Sequence, residues 1–166
     1  RRMVAASDAA FQLRNGTAYY QDALYTGQLF SLYPGTSDTA FVHAYRDGKE
    51  DGCWKEFYPG HQLMEIRYFS KGSKEGAYLA YWPNRRLRLR YHFLRDEYEG
   101  VCEEWNADAV LIRAMHYRNG RESGSQKQFY DDGSIRSNYW MQDGRRYGLL
   151  GTKNCVNVSE KIWAQP

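Results

Sequence analysis

The sequence lacks several features that mark large classes of protein. It has no run of 18 apolar residues, so no transmembrane helix is predicted. Its 23 Lys and Arg against 20 Asp and Glu give a net charge of only +3, whereas a nucleic-acid-binding domain usually has a strongly basic patch. Apolar residues never sustain the 3.6-residue period of a helix. These absences argue against a helical membrane protein and a helix bundle, and we expect no nucleic acid as partner.

Catalytic motifs are also missing. No Ser/His/Asp or Cys/His set has a spacing from which proximity could be argued. The glycines fall between strand-like segments and open no helix, so they form no phosphate-binding loop. We therefore expect that the protein is not an enzyme and that it has no cofactor.

What the chain does have is aromatic residues and regularly spaced glycines. Its 15 Tyr, 7 Phe and 5 Trp accompany a mean hydropathy of −0.81, which indicates a thin sheet with two partly wet faces rather than a disordered chain. One set of glycines recurs every 24 residues after a leading Gly27, at Gly52, Gly76, Gly100, Gly124 and Gly148. A second set lies four residues earlier, at Gly48, Gly72, Gly120 and Gly144, with Asp96 in the remaining place. A fixed period of this kind indicates a copied supersecondary unit.

Each copy contains a turn, a short strand, a second turn and a second strand. Asp47-Gly48 and Asn119-Gly120 are dipeptides that favour tight hairpin turns. The fifth position after the later glycine is aromatic in four copies, at Phe57, Tyr81, Trp105 and Phe129. The pattern predicts an all-β fold, an elongated antiparallel β-meander of about five to six 24-residue β-hairpins. We expect a leading strand or hairpin in residues 1–23, the repeat array in 24–159 with a truncated last copy, and a tail in 160–166.

Strand alternation assigns side chains to two faces of this sheet. On the second strands, the face that carries Phe69, Phe93, Met115 and Tyr139, together with the strand-opening Leu63, Leu87, Leu111 and Ile135, is the one expected to pack. The opposite face is mixed in polarity and includes a row of arginines. Cys53 and Cys102 lie 49 residues apart and fall on opposite faces, so no bridge between them is expected.

The repeats resemble a known family. Residues 45–60 (YRDGKEDGCWKEFYPG) and 117–133 (YRNGRESGSQKQFYDDG) look like MORN repeats, and they are most similar to the variant in bacterial proteins labelled as YwqK-type antitoxin components. The resemblance covers about residues 24–159 and implies an elongated β-sheet used for protein contacts or membrane attachment. The third copy departs from the pattern, with Asp96 and Asp108 in place of turn glycines, and so does the end of the chain from Gly148 to Cys155.

The segment from Arg85 to Arg90 alternates strictly, which places Arg86, Arg88 and Arg90 on one face about 7 Å apart. Such a row can bind carboxylates or phosphates. The corresponding positions of the adjoining second strands, Met64, Ile66, Ile112 and Ala114, offer no acid to neutralise it. Tyr, Trp and Arg are also typical of binding hot spots. We therefore expect a binding surface formed by Arg86, Arg88, Arg90, Tyr58, Trp82, Tyr130 and Trp140.

Metal binding is a competing hypothesis. His92 and His116 occupy the same position in consecutive repeats and could be neighbours across the sheet, but a metal needs further converging ligands. Cys155, in the non-repeating end, is either a small buried residue of a capping strand or a thiol ligand.

Three functions therefore remain open. The leading one is a non-enzymatic scaffold that binds a protein partner, or an anionic lipid surface, through its aromatic and basic face. The alternatives are a metal-handling envelope protein that uses Cys155 with His or Met ligands, and an antitoxin-like neutraliser of a cognate protein. The start at Arg1-Arg2-Met3 favours an exported or cell-envelope (periplasmic) location over a cytoplasmic one.

Overall fold

The computed structural model describes residues 2–151, and this part of the chain forms strands and turns without a helix. The strands are β1 (Met3–Ala5), β2 (Phe11–Arg14), β3 (Thr17–Tyr20), β4 (Ala23–Leu24), β5 (Gly27–Leu32), β6 (Thr39–Arg46), β7 (Lys49–Glu50), β8 (Gly52–Tyr58), β9 (Gln62–Ser70), β10 (Ser73–Lys74), β11 (Gly76–Tyr81), β12 (Leu87–Leu94), β13 (Glu97–Tyr98), β14 (Gly100–Trp105), β15 (Leu111–Arg118), β16 (Arg121–Phe129), β17 (Ile135–Gln142) and β18 (Arg145–Leu149).

One large sheet contains most of these strands. Its order is β1-β5-β6-β8-β9-β11-β12-β14-β15-β16-β17-β18, and every pair is antiparallel except β1 with β5. The two-residue strands β7, β10 and β13 pair with β6, β9 and β12 at the hairpin ends. Apart from β1 and these short strands, spatial order follows chain order. This confirms the predicted all-β fold, an elongated antiparallel meander of hairpins.

The turn that opens each repeat has the twisted geometry that hairpins favour. At Asp47-Gly48 the two φ angles are 48° and 76°, and positive values at both central residues characterise a type I′ turn. In the third copy, Arg95 and Asp96 adopt φ angles of 51° and 67°. The hairpin therefore forms there without a glycine, with two L-residues held in the left-handed region.

A β-bulge recurs beside the repeated aromatic residue. The register shifts between Glu56 and Phe57, and it shifts again before Tyr81, Trp105 and Phe129. A bulge bends a strand and increases its twist. The aromatic residue of each copy thus marks the point where the first strand of the hairpin bends.

Side chains just before the repeated glycines link one hairpin to the next. Asp51 Oδ2 accepts a hydrogen bond from the backbone amide of Lys71 at 3.1 Å. Glu75 accepts one from Arg95 at 3.1 Å, and Glu99 accepts one from Asn119 at 2.8 Å. The acid that precedes Gly52, Gly76 or Gly100 therefore satisfies an amide in the turn of the following repeat.

The N-terminal region covers one end of the meander. Strands β2, β3 and β4 form a separate three-stranded sheet, and residues from it and from the first hairpin share a buried cluster. The buried members are Val4, Ala18, Tyr25, Leu29 and Tyr45. Strand β4 spans the predicted boundary between residues 23 and 24. The predicted array end at 152–159, the tail at 160–166 and Cys155 lie outside the described residues.

Candidate functional site

The pairing register defines two faces of the large sheet. A cross-strand row of successive partners defines the outer face, through Val42, Lys55, Ile66, Leu79, Arg90, Glu103, Ala114, Lys127, Asn138 and Leu149. The neighbouring row defines the inner face, through Phe41, Glu56, Glu65, Ala80, Leu89, Glu104, Arg113, Gln128 and Ser137. Phe69, Phe93, Met115 and Tyr139 are buried, as expected for the packed face, whereas Ile135 is exposed.

The predicted arginine row is on the outer face, but its members differ. Arg90 donates from Nη2 to Glu103 at 2.5 Å, and Arg86 Nη1 lies 4.0 Å from Asp108 Oδ1, so the expectation that no acid lies beside the row is wrong for these two residues. Strand β14, which carries Glu103, lies between the second strands β12 and β15 and supplies the acid. The guanidinium of Arg88 lies 5.6 Å from the Trp82 ring centre. Arg86 precedes β12 and donates to the carbonyl of Ala107 at 3.1 Å.

Tyr58 and Trp82 connect successive repeats. The Tyr58 hydroxyl donates to the carbonyl of Tyr81 at 3.0 Å, and Trp82 Nε1 donates to the carbonyl of Trp105 at 2.9 Å. The equivalent residue of the first hairpin, Tyr33, donates to the carbonyl of Phe57 at 2.6 Å. The polar ends of these predicted binding residues are therefore engaged within the array.

The last two predicted aromatic residues are more accessible. Tyr130 lies in the turn after β16 and is 42% exposed. Trp140 is 54% exposed and pairs in register with Ser125 and Tyr147, which is also 54% exposed. Trp140 and Tyr147 thus present adjacent aromatic surface on the outer face of the last described hairpin.

Charge distinguishes the outer face. Among the described strands, its interior positions carry one acid, Glu103, and the cations Lys55, Arg88, Arg90, Lys127 and Arg136. Lys127 and Arg136 are both exposed and lie on adjacent strands. This face has an excess of positive charge and can attract an acidic surface.

Within residues 2–151, no group of three or more His, Cys, Asp or Glu side chains is arranged to hold a metal ion. Strand β14 separates β12, which carries His92, from β15, which carries His116, so the two histidines are not on neighbouring strands. His116 Nδ1 lies 2.8 Å from the carbonyl oxygen of Ser125.

The inner face combines tyrosines with ion pairs. Glu65 accepts from Arg67 at 2.8 Å and from the Tyr78 hydroxyl at 2.9 Å. Glu104 likewise accepts from Tyr91 and Arg113, and Glu122 accepts from Tyr139 and Arg146. Burial and the bond to Glu65 raise the pKa of Tyr78, so its hydroxyl stays protonated and continues to donate. These contacts neutralise Glu65, Glu104 and Glu122 within the sheet.

A cavity of about 250 Å³ opens on the inner face beside the first of these clusters. Its walls include His43, Trp54, Glu56, Glu65 and Arg67. The His43 ring is stacked between Phe41 and Trp54, with ring centres 4.3 Å and 3.8 Å away. His43 Nε2 and Arg67 Nε are buried without a hydrogen-bond partner. Sequence reasoning missed this site, although its charged residues interrupt the pattern of the repeat.

No helix among the described residues is long and apolar enough to cross a membrane. No family model matches the chain, and no curated protein matches it. Among solved structures, a mutant TarM from S. aureus in complex with fondaparinux, alpha-GlcNAc-glycerol and UDP is similar at 16% identity and a TM-score of 0.37. A second TarM structure is similar at 15% identity and a TM-score of 0.36. Each match covers 74% of this chain and only 24% of the TarM chain. At such TM-scores the likeness assigns neither a family nor an activity.

Proposed function

We propose that the chain is a non-enzymatic, MORN-like repeat protein whose outer face binds an acidic surface of a protein partner. The observation that carries this proposal is the charge of the outer face, where Lys127, Arg136 and Trp140 are exposed on the adjacent strands β16 and β17. Arg, Trp and Tyr are the residue types that dominate binding hot spots. The inner face is a poorer candidate for this acidic partner because Arg67, Arg113 and Arg146 are each paired with a glutamate there.

A protein partner is favoured over an anionic bilayer. Attachment to acidic lipids typically uses a cluster of about four to eight cations. Here Arg90 is paired with Glu103, and the Arg88 guanidinium lies near Trp82. The other interior cations of the outer face are Lys55, Lys127 and Arg136, which are fewer than such a cluster, whereas a partner of matching shape can combine a few ion pairs with aromatic contacts. An antitoxin-like role would be one case of such binding.

The test compares two variants that lose the same positive charge. The outer-face variant is Lys127→Ser/Arg136→Ser, and its control is Arg118→Ser/Arg121→Ser at a hairpin end. Each protein captures partners from a lysate of the source organism, and the captured chain is identified, purified and titrated against the same variants. We expect the outer-face variant to bind at least tenfold more weakly and the control to bind nearly as well as the unaltered chain.

The same titration distinguishes the competing outcomes. Affinity for the purified partner should fall as salt rises, because exposed charges are screened. Equal affinity of the two variants would reject the outer face as the binding surface. Sedimentation of the unaltered chain with phosphatidylserine vesicles, without a protein partner, would replace the proposal with membrane attachment.

A further inference from the structure

The inner-face cavity lies between side chains from four successive repeats. Strand β6 supplies His43, strands β8 and β9 supply Trp54, Glu56 and Glu65, strand β10 supplies Lys74, and the turn after β12 supplies Asp96. At about 250 Å³, the cavity is smaller than the roughly 300–1,000 Å³ of pockets for drug-sized ligands. It suits a small molecule or the end of one side chain.

The charges of this cavity are not required by the repeat. One repeat later, Ala80, Leu89, Tyr91 and Tyr98 take the places of Glu56, Glu65, Arg67 and Lys74. That later hairpin has the same register and the same bulge. The fold therefore accepts apolar and tyrosine side chains at these positions. Half-buried charge is costly for a fold, so its presence here needs another explanation.

The cavity wall contains more carboxylates than cations. Its acids are Glu50, Glu56, Glu65 and Asp96, and its bases are Arg67 and Lys74. Arg67 is engaged by Glu65 at 2.8 Å. Neither Glu50 nor Glu56 forms an ion pair with Lys or Arg among residues 2–151. Burial raises the pKa of both carboxyl groups, so their surroundings do not fully compensate the negative charge.

His43 adds an unsatisfied nitrogen. Its side chain is 13% exposed, and its Nε2 lies 3.7 Å from Glu56 Oε1, beyond hydrogen-bond distance. Burial lowers its pKa to about 4, so the ring is neutral at pH 7 and does not neutralise Glu56. Stacking between Phe41 and Trp54 restricts the ring. In the tautomer protonated at Nδ1, His43 Nε2 is an acceptor in need of a donor.

We propose that this cavity binds a small organic cation, a primary ammonium or a guanidinium, between Glu50, Glu56 and His43. Such a group supplies the positive charge that the two carboxylates lack and an N–H donor for His43 Nε2. Trp54 and Phe69 add aromatic surface, and cations are attracted to aromatic rings. Arg67 Nε, which also lacks a partner, favours a cation that carries an acceptor, as an amino acid does. The cation comes either from a free amine or from a Lys or Arg side chain of another protein.

Isothermal titration calorimetry of the full chain with L-arginine, putrescine and L-glutamate tests the proposal. We expect L-arginine and putrescine to bind and L-glutamate not to bind. The variant Glu50→Gln/Glu56→Gln should bind both cations at least tenfold more weakly, and the outer-face control Glu103→Gln should bind them with unchanged affinity. A peptide with one internal arginine and blocked termini distinguishes the two sources of the cation. If the cavity takes an arginine side chain of a partner protein, this peptide should bind. If it takes a free amine, L-arginine should bind and the peptide should not.

Circular dichroism and thermal unfolding of each variant confirm that it is folded before titration. Failure of both cations to bind the unaltered chain would overturn the proposal. So would L-glutamate binding as tightly as L-arginine, or full affinity in the folded double variant. The outer-face proposal does not depend on any of these outcomes, since Lys127 and Arg136 lie on the opposite side of the sheet.

Discussion

The inner and outer faces belong to the same strands, yet they use charged residues differently. On the inner face, Glu65 is 8% exposed as a residue and is held by both Arg67 and Tyr78. On the outer face, Glu103 meets Arg90, whose side chain is 57% exposed. The first contact stabilises the packing of the sheet, and the second is partly exposed to solvent. Because neighbouring residues alternate between faces, this protein can separate the residues that maintain its fold from those available to a partner.

The largest expected difference in stability between the two faces comes from removing one acid on each of them. Glu65→Ala leaves Arg67 half-buried without its carboxylate and leaves Tyr78 without its acceptor, so we expect the free energy of unfolding to fall by about 3 kcal/mol. Glu103→Ala removes a partly exposed pair and should cost less than about 1 kcal/mol. Urea denaturation of the two variants measures both values. Equal losses would show that the two faces do not differ in this way.

A smaller, pH-dependent effect is expected from His43. Its folded pKa of about 4 lies below the ordinary 6.5, so the unfolded chain takes up a proton first as the pH falls. The stabilising contribution of the neutral ring is full above pH 6.5 and is lost as the pH falls towards 4. Relative to His43→Gln, the free energy of unfolding of the unaltered chain should fall by about 2 kcal/mol as the pH falls from 6.5 towards 4. Urea denaturation at several pH values measures the difference.

Glu50 and Glu56 titrate in the opposite sense, because burial raises their pKa values and protonation relieves their unfavourable charge. Both acids are present in the unaltered chain and in His43→Gln, so subtraction isolates the histidine. His92→Gln, on the exposed outer face, is the control for the loss of a histidine side chain. If the difference in free energy of unfolding between the unaltered chain and His43→Gln did not change with pH, that result would contradict a neutral, buried His43 ring.

The sequence predicted the hairpins because turn chemistry is local. Asp47-Gly48 requires a tight turn whatever its surroundings, and strand alternation then placed Phe69 and Phe93 on the packed face. The Arg90–Glu103 pair was missed because second strands were compared only with second strands, although a first strand lies between them. The bonds of Tyr58 and Trp82 depend on register near a bulge, which a one-dimensional pattern does not determine. The cavity left a sequence signal, since Glu56 and Glu65 become Ala80 and Leu89 one repeat later.

The links between repeats should have an intermediate effect. Tyr58→Phe removes the hydroxyl that donates to the Tyr81 carbonyl and keeps the ring, so we expect a loss of about 1 kcal/mol in thermal or urea unfolding. Trp140→Phe, an aromatic replacement on the exposed outer face, should cost less than about 0.5 kcal/mol. If the two changes had the same effect, Tyr58 would not be a structural link and would return to the set of binding residues.

The smallest effect on stability is expected from the exposed outer-face cations. Lys127→Ser/Arg136→Ser removes two side chains that have no ion pair within residues 2–151, so the free energy of unfolding should change by less than about 0.5 kcal/mol. Urea denaturation beside the hairpin-end control Arg118→Ser/Arg121→Ser measures this change. A near-zero value together with weakened partner binding would separate function from folding on this face. A loss above about 1 kcal/mol would instead make these cations part of the sheet's own packing, and the outer face would then resemble the inner one.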